Sequence, residues 1–403
     1  MSSGYILLFH NFEILITMLN VIEAKKTFIT WQSFNYFHNI WRMIMRYLCI
    51  VNTYYQLLFC IQLRLTLLKM DYMTVLVSDH SKKCEPVVSK INKLHLFDEI
   101  YFIKTLEIDQ GIGIIQKQID CIKIGLNMKT RYDHLYTDIL NKNYDYILFN
   151  NMGYLFIDAA YSYFYRYNKK LKLALFEEGI LSYSVSKSNL HRRKLINLIK
   201  IIRRKKTFEE LICLFYCYYS RLYQGNLNTV EVPIIKKQSK ICRVLRYVFD
   251  IDLEYPQKYI FFASVYDFEG GKPVGEFELV NKIADLVGKE NLLIKIHPRD
   301  TRTIYQDNGF NVDKNSAIPW EAIQLSGDFR DKVFMTINSG AVLAGSIMSE
   351  NPVKTYYMYK LCDISGNRSC QKNARDIEQL LDSKSMRDVL WTVHIAERLD
   401  DIL

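Results

Sequence analysis

Glycine and proline are scarce in this 403-residue chain, at 16 and 7 residues, which excludes collagen-like and low-complexity classes. Acid is the minority charge: 43 Asp and Glu stand against 53 Lys and Arg, a formal net charge of +10. That balance favours an anionic partner, whether nucleotide, anionic glycan, nucleic acid or membrane surface, without choosing among them. The nine cysteines show no framework spacing. Cys213 and Cys217 are one helical turn apart with no second pair beside them, so the expectation is reduced thiols and no zinc site. No basic n-region with a small-residue cleavage site opens the chain, so no secretory signal is expected. Residues 5–22 are apolar but interrupted by His10, Asn11, Glu13 and Asn20, which argues against a membrane span. No acidic D-x-D pattern follows a strand; Asp252-Leu253-Glu254, the nearest approach, precedes one, so no divalent metal is expected.

What is present is enough apolar material for a packed core: 49% hydrophobic residues, with 29 Tyr and 22 Phe. The length suggests two domains. Residues 1–44 are apolar and aromatic without a clear period. They read either as an appended arm, with Met43 or Met45 an alternative start, or as a helical arm docked on the first domain. From residue 46 the pattern alternates. Strands are expected at 46–53, 73–78, 97–103, 144–150 and 172–176, with helices at 54–69, 82–94, 114–128 and 156–167. Residues 190–206, LHRRKLINLIKIIRRKK, interleave eight Lys and Arg with Leu and Ile, and 208–223 continue in aromatic and apolar residues. We read 190–223 as a basic helical insertion. It is either an amphipathic surface for an anionic membrane or a helical pair with a solvated basic side. No nucleic-acid-binding motif accompanies the charge. A polar linker, 225–240, leads to a second alternating unit with strands at 259–264, 292–296, 333–337 and 354–358 and a terminal helix or helix pair at 376–400. The expected organisation is therefore an arm (1–44), an N-terminal Rossmann-like domain (45–240) and a C-terminal Rossmann-like domain (241–403). This is an α/β fold whose two parallel sheets flank a central cleft.

Three strand ends carry the chemistry. Residues 292–300, LLIKIHPRD, end an apolar strand in Lys295, His297, Pro298, Arg299 and Asp300, where proline stops the ladder. Residues 172–176 run into Glu177-Glu178-Gly179, and 333–337 into Asn338-Ser339-Gly340. In open α/β sheets the carboxyl edge is where ligands bind. A carboxylate there can act as general base on a hydroxyl, and two adjacent acids raise one another's pKa. Gly179 allows a tight turn. An imidazole with Lys295 and Arg299 beside it can stabilise a leaving phosphate. Ser339, Gly340 and a following helix offer a hydroxyl and free N–H groups to the same phosphate.

An acidic pair with glycine, then His-Pro, then a serine motif, in that order, resembles bacterial sialyltransferases of the GT-B type. The chain looks most like the lipooligosaccharide and capsule sialyltransferases of glycosyltransferase family 52. The segment CIVNTYYQLL is similar to that family's first strand and helix, with Tyr54 where proline is common, and the serine motif is single. The likeness spans about residues 46–400. It implies Glu177 as base, with Glu178 the alternate. It gives His297 as phosphate contact and general acid. Thr336, Asn338, Ser339 and Gly340, with Gly179, Lys295, Pro298 and Arg299, fall on the donor side. The loop 266–275 would hold the cytidine, with Asp267 or Glu269 as rival carboxylates, and Asn52, Thr53 and Gln56 would face the acceptor. The implied reaction is an inverting, cofactor-free and metal-independent transfer from CMP-sialic acid to a galactoside of a lipooligosaccharide or capsular glycan. The implied setting is cytoplasmic, peripheral at the inner face of the cell membrane, and family analogy adds a homodimer. Two alternatives stand beside it: a hexosyltransferase of the same fold using a UDP-sugar, and a non-catalytic membrane-surface assembly protein for envelope polysaccharide.

Overall fold

The computed structural model describes residues 44–403 apart from 82–83, 151–153, 184–192, 253, 298, 314, 316–317 and 351. Residues 1–43 and Pro298 therefore lie outside the described residues, as does the start of the basic stretch at 190–192. Residues 45–403 form one compact unit containing two lobes.

The N-terminal lobe is a seven-stranded sheet of order β3-β2-β1-β4-β5-β6-β7, every adjacent pair parallel. Its strands are β1 Arg46–Val51, β2 Tyr72–Ser78, β3 Glu99–Ile103, β4 Tyr146–Phe149, β5 Lys172–Phe176, β6 Ile212–Cys217 and β7 Asn228–Glu231. The C-terminal lobe is a six-stranded parallel sheet of order β10-β9-β8-β11-β12-β13. Its strands are β8 Tyr259–Phe262, β9 Leu292–Lys295, β10 Asn311–Val312, β11 Val333–Thr336, β12 Lys354–Tyr357 and β13 Val393–Ile395. The longer helices are α1 Tyr54–Leu65, α2 Cys84–Lys93, α3 Ile114–Gly125, α4 Leu155–Tyr165, α5 Arg193–Ile202, α6 Lys240–Phe249, α7 Glu276–Val287 and α8 Arg368–Asp382. The expected α/β fold with two parallel-sheet units is present.

The central strands are largely apolar because helices cover both faces of such a sheet. β8, β9 and β11 are buried at every position. Both lobes reverse strand order at one point, between β1 and β4 and between β8 and β11. The crevice outside the carboxyl ends at such a reversal is the usual ligand position in this architecture.

The two lobes are joined through residues 232–250. Gln62 Nε2 donates to Pro233 O at 2.6 Å, and Ile235 N to Met348 O at 2.7 Å. α6 meets both sides: Phe249 packs edge-on against Tyr54 at 5.4 Å, and Arg246 Nε donates to Ser326 O at 3.1 Å.

The helical insertion expected at 190–223 is corrected by the structure. Residues 193–202 are helical, but 212–217, ICLFYC, form an interior strand of the sheet. β-Branched and aromatic residues fit that pleated, buried position. Positions four apart share a face in a strand as in a helix, so the spacing of Cys213 and Cys217 did not discriminate. The linker expected at 225–240 contains the edge strand β7, and the terminal helical segment contains β13.

Candidate active site

In the C-terminal lobe a cavity of 400 Å³ opens where the sheet reverses order. Its walls come from the carboxyl ends of β8 (Ser264, Tyr266), β9 (His297, Arg299) and β11 (Asn338, Ser339, Gly340), closed by Glu269 and Gly270 and by Ser369 and Asn373 of α8. The structure thus brings together His297, Arg299, Asn338, Ser339, Gly340 and Glu269 from the expected set.

His297 follows the strand end. Its Nδ1 accepts the Arg299 N–H at 3.1 Å, so the neutral ring carries its proton on Nε2. Burial and the Arg299 charge hold this imidazole below its ordinary pKa, against the opposing pull of Glu269 and Asp300. At neutral pH His297 is a neutral donor through Nε2. Arg299 pairs with Glu269 at 2.6 Å on the cavity rim. Ser339 caps the short helical turn Gly340–Leu343, its Oγ accepting from Ala341 N at 3.4 Å. Only Ala344–Met348 continues as α-helix. The helix expected after Gly340 is therefore two short pieces, and the serine hydroxyl matters more than the dipole. Asn338 donates through Nδ2 to Cys370 O at 3.1 Å, while its buried Oδ1 has no partner among the described residues. That oxygen can accept from a ligand hydroxyl or amine but not bind a phosphate.

The loop over the cavity is built on glycines that no other residue could replace without strain. Gly270 and Gly271 have φ of +83° and +137°, and a Cβ on Gly271 would lie 2.3 Å from Gly366 O. Asn367 ties the loop down, its Nδ2 donating to Tyr266 O at 3.0 Å and Glu269 O at 2.9 Å.

In the N-terminal lobe the segments that follow β1 and β5 come together across the end of the intervening β4. Thr53 Oγ1 donates to Glu178 Oε1 at 3.0 Å, and the Gln56 amide lies beside the same carboxylate. Burial raises the Glu178 pKa, and the bonds from Gln56 and Thr53 only partly offset it. Gly179, at φ +73°, turns the chain immediately afterwards, and Glu178 N is fixed by donation to Ser182 Oγ at 2.7 Å.

Several expected roles change on this geometry. Glu177 is wholly buried. Its Oε1 accepts from Tyr55 Oη at 2.7 Å, and its Oε2 from Tyr218 N at 2.9 Å and from the Tyr183 hydroxyl. Successive strand-end side chains face opposite ways, so Glu177 turns inward and Glu178 outward. Burial, rather than repulsion between the two acids, raises both pKa values, that of Glu177 to about 7. Lys295 is spent on a buried ion pair with Asp313 at 2.7 Å and does not line the cavity. Thr336 is buried; its hydroxyl donates to Phe262 O at 3.0 Å and accepts Ser339 N at 3.0 Å, so it shapes the turn and does not face a ligand. Asp267 caps α7, its Oδ1 accepting from the N–H groups of Val274, Gly275 and Glu276 at 3.0 to 3.2 Å, which removes it as a rival base. Asn52 is buried and accepts from Ser78 Oγ at 2.7 Å, holding β1 to β2.

Two residues were missed by sequence reasoning. His80 sits just past β2, its Nδ1 3.0 Å from Ser78 Oγ, and its ring is 4.3 Å from that of Tyr154. The Glu178 charge is close enough to raise the Tyr154 pKa, though less than burial does. The strand end at Ser78 was visible in the sequence; its juxtaposition with Tyr154 at the start of α4 was not.

No family model matches the chain, and no curated protein is similar to it. Among solved structures it is similar to an α/β-galactoside α-2,3-sialyltransferase from the luminous marine bacterium Photobacterium phosphoreum. The identity is 12%, over 90% of this chain and all of that one, with a TM-score of 0.46. The structure of TcCGT1 in complex with UDP is similar at 8% identity, over 90% of this chain and 88% of that one, with a TM-score of 0.44. Acinetobacter baumannii MurG is similar at 8% identity, over 89% and 87%, with a TM-score of 0.38. Likeness at this level says nothing of donor, acceptor or chemistry.

Proposed function

We propose that the protein is an inverting, metal-independent glycosyltransferase that moves sialic acid from CMP-sialic acid to a galactoside hydroxyl. The observation that carries this reading is the cavity at the β8/β11 reversal. It gathers the His297 imidazole, the Arg299 guanidinium and the Ser339 hydroxyl around one 400 Å³ space. Those are donors suited to one phosphate, with Tyr266, Ser369 and Asn373 left for the nucleoside end. The reading requires that one substrate pair span the carboxyl edges of both sheets.

The acceptor hydroxyl gives its proton to Glu178 as its oxygen bonds to the anomeric carbon. The bond from that carbon to the CMP phosphate oxygen breaks, and its electron pair stays on the phosphate. Charge thus accumulates on the phosphate while the sugar takes on oxocarbenium character. His297 Nε2–H, Ser339 and Arg299 stabilise that charge. A monophosphate carries less charge than a diphosphate, so these groups suffice in place of a metal. Glu178 serves as base and Glu177 does not, because Glu177 has neither solvent access nor a free oxygen. His80 and Tyr154 present an aromatic edge beside the base on which a sugar ring can rest.

The test is incubation of the full chain with CMP-sialic acid and a panel of galactosides, reading CMP release and sialylated product. CMP release with product is expected. Absence of CMP release alongside UDP release from UDP-sugars would overturn the donor assignment.

A further inference from the structure

The α3/α5 pair leaves a group of apolar residues on the side that a free surface would make polar. α5 turns Arg193, Ile196 and Lys200 inward and leaves Leu198, Ile201 and Ile202 outside, the last two 59% and 71% exposed. The buried cations are accounted for. Arg193 Nε donates to Asp158 Oδ1 at 2.9 Å and its guanidinium lies 4.7 Å from the Phe208 ring, while Lys200 sits over Tyr161 at 5.0 Å. A helix facing only water would place those charges outward and the aliphatics inward. α3 packs against α5, where a Cβ on Gly125 would touch Ile199 Cβ at 3.0 Å. α3 likewise exposes Ile115 at 74%, with Ile119 and Ile122 further along the same side.

At the end of α5 the chain turns sharply. Arg204 takes φ +53°, Lys205 N donates to Lys200 O at 2.8 Å and Arg204 N to Ile201 O at 2.9 Å. This is the Schellman pattern, with arginine where glycine is usual. It sets Arg203, Arg204, Lys205 and Lys206 exposed beside the aliphatic patch, with Lys194 exposed at the other end of the helix.

We propose that the outer face of α3 and α5 docks on an anionic lipid bilayer, Ile115, Ile122, Leu198, Ile201 and Ile202 entering the headgroup boundary and the Arg203–Lys206 cluster engaging lipid phosphates. Charge decides the occupant. A second copy of the chain would bring its own cation cluster against this one, and nucleic acid has no use for aliphatic side chains with no aromatic among them. An anionic membrane satisfies both halves of the patch. Among the described residues no helix is long and apolar enough to cross a membrane, so the contact is lateral. The inference does not depend on the proposed reaction.

The experiment is co-sedimentation of the full chain with vesicles of phosphatidylcholine alone or with phosphatidylglycerol at about 30%. Binding to the anionic vesicles is expected, at least about tenfold weaker on neutral vesicles and at about 0.5 M salt. Two double variants, Arg203→Glu/Lys205→Glu and Ile201→Ser/Ile202→Ser, should each weaken it at least about tenfold with unchanged melting temperature, since every altered side chain is exposed. Equal vesicle binding by Ile201→Ser/Ile202→Ser would overturn the proposal. So would self-association abolished by that variant, or duplex DNA bound more tightly than vesicles.

Discussion

Glu177→Gln separates a structural carboxylate from a catalytic one, and its consequence can be worked out. In the folded protein Glu177 has a pKa of about 7, raised from 4.5 by burial and held down from higher values by bonds from Tyr183, the Tyr218 N–H and Tyr55. A carboxyl whose folded pKa lies above its unfolded one binds more protons when folded. Its contribution is therefore fully present below the unfolded value and is lost as pH rises through 7. Between about pH 5 and about pH 8 the loss integrates to about 2.5 kcal/mol. Glutamine does not titrate, so the variant should escape that loss. Its amide nitrogen can turn to Tyr55, whose hydroxyl can accept, and its oxygen can keep the Tyr218 N–H. Any pH-independent cost of that exchange cancels when the stability difference at pH 8 is compared with that at pH 5. Denaturant unfolding of both proteins at the two pH values measures it. The variant should gain about 2 to 3 kcal/mol on the wild type across the window. Parallel stability profiles would refute the buried, proton-holding role.

Glu178→Gln should behave differently: turnover falls about 100-fold or more with little change in stability, read by CMP release and thermal melting. His297→Ala should lose a similar factor in turnover, since the proposed reaction loses a phosphate donor at the leaving group, and near-wild-type rates in both variants would contradict the assignment. Gly271→Ala forces a Cβ to 2.3 Å from Gly366 O at φ +137°. It should cost about 1 to 3 kcal/mol of stability and raise the donor KM, measured by melting and by initial rates. EDTA should leave activity unchanged, and restoration by added Mg or Mn would contradict the metal-free mechanism.

The interior strands were legible because burial on both faces demands continuous apolar runs, as in β1, β2, β5, β8, β9 and β11. The short or edge strands were not. β10 has two residues, β7 reads NTVE, and β13 reads VHI after a helix. Pairing with a neighbour defines these strands, and pairing is non-local. β6 was obscured by the basic helix before it. At the site, the positions of His297, Ser339 and the Glu177-Glu178 pair at strand ends could be read. Which of two neighbours points outward could not, since it depends on the phase of the pleat at the last residue. For the same reason Lys295, the last residue of β9, went to a buried partner, and Thr336, the last of β11, to a turn.

Each lobe secures its site with a buried acid of the same kind. Glu177 accepts a backbone N–H and two tyrosine hydroxyls beside Glu178. Glu276 accepts Ser264 N with both oxygens, at 3.0 and 2.8 Å, and the Tyr305 hydroxyl at 3.0 Å, behind the cavity wall. Burial raises each to about 7. Ionising either one places charge in the interior but also strengthens every bond it accepts. Raising the pH through neutrality therefore costs stability at the two elements that carry the proposed base and the proposed phosphate donors, as worked out above for Glu177. An alkaline fall in activity would then come from these two acids while Glu178 itself is increasingly ready to accept a proton. Replacing Glu177 and Glu276 together by glutamine should flatten that alkaline fall and leave the acid side of the profile, set by Glu178, in place.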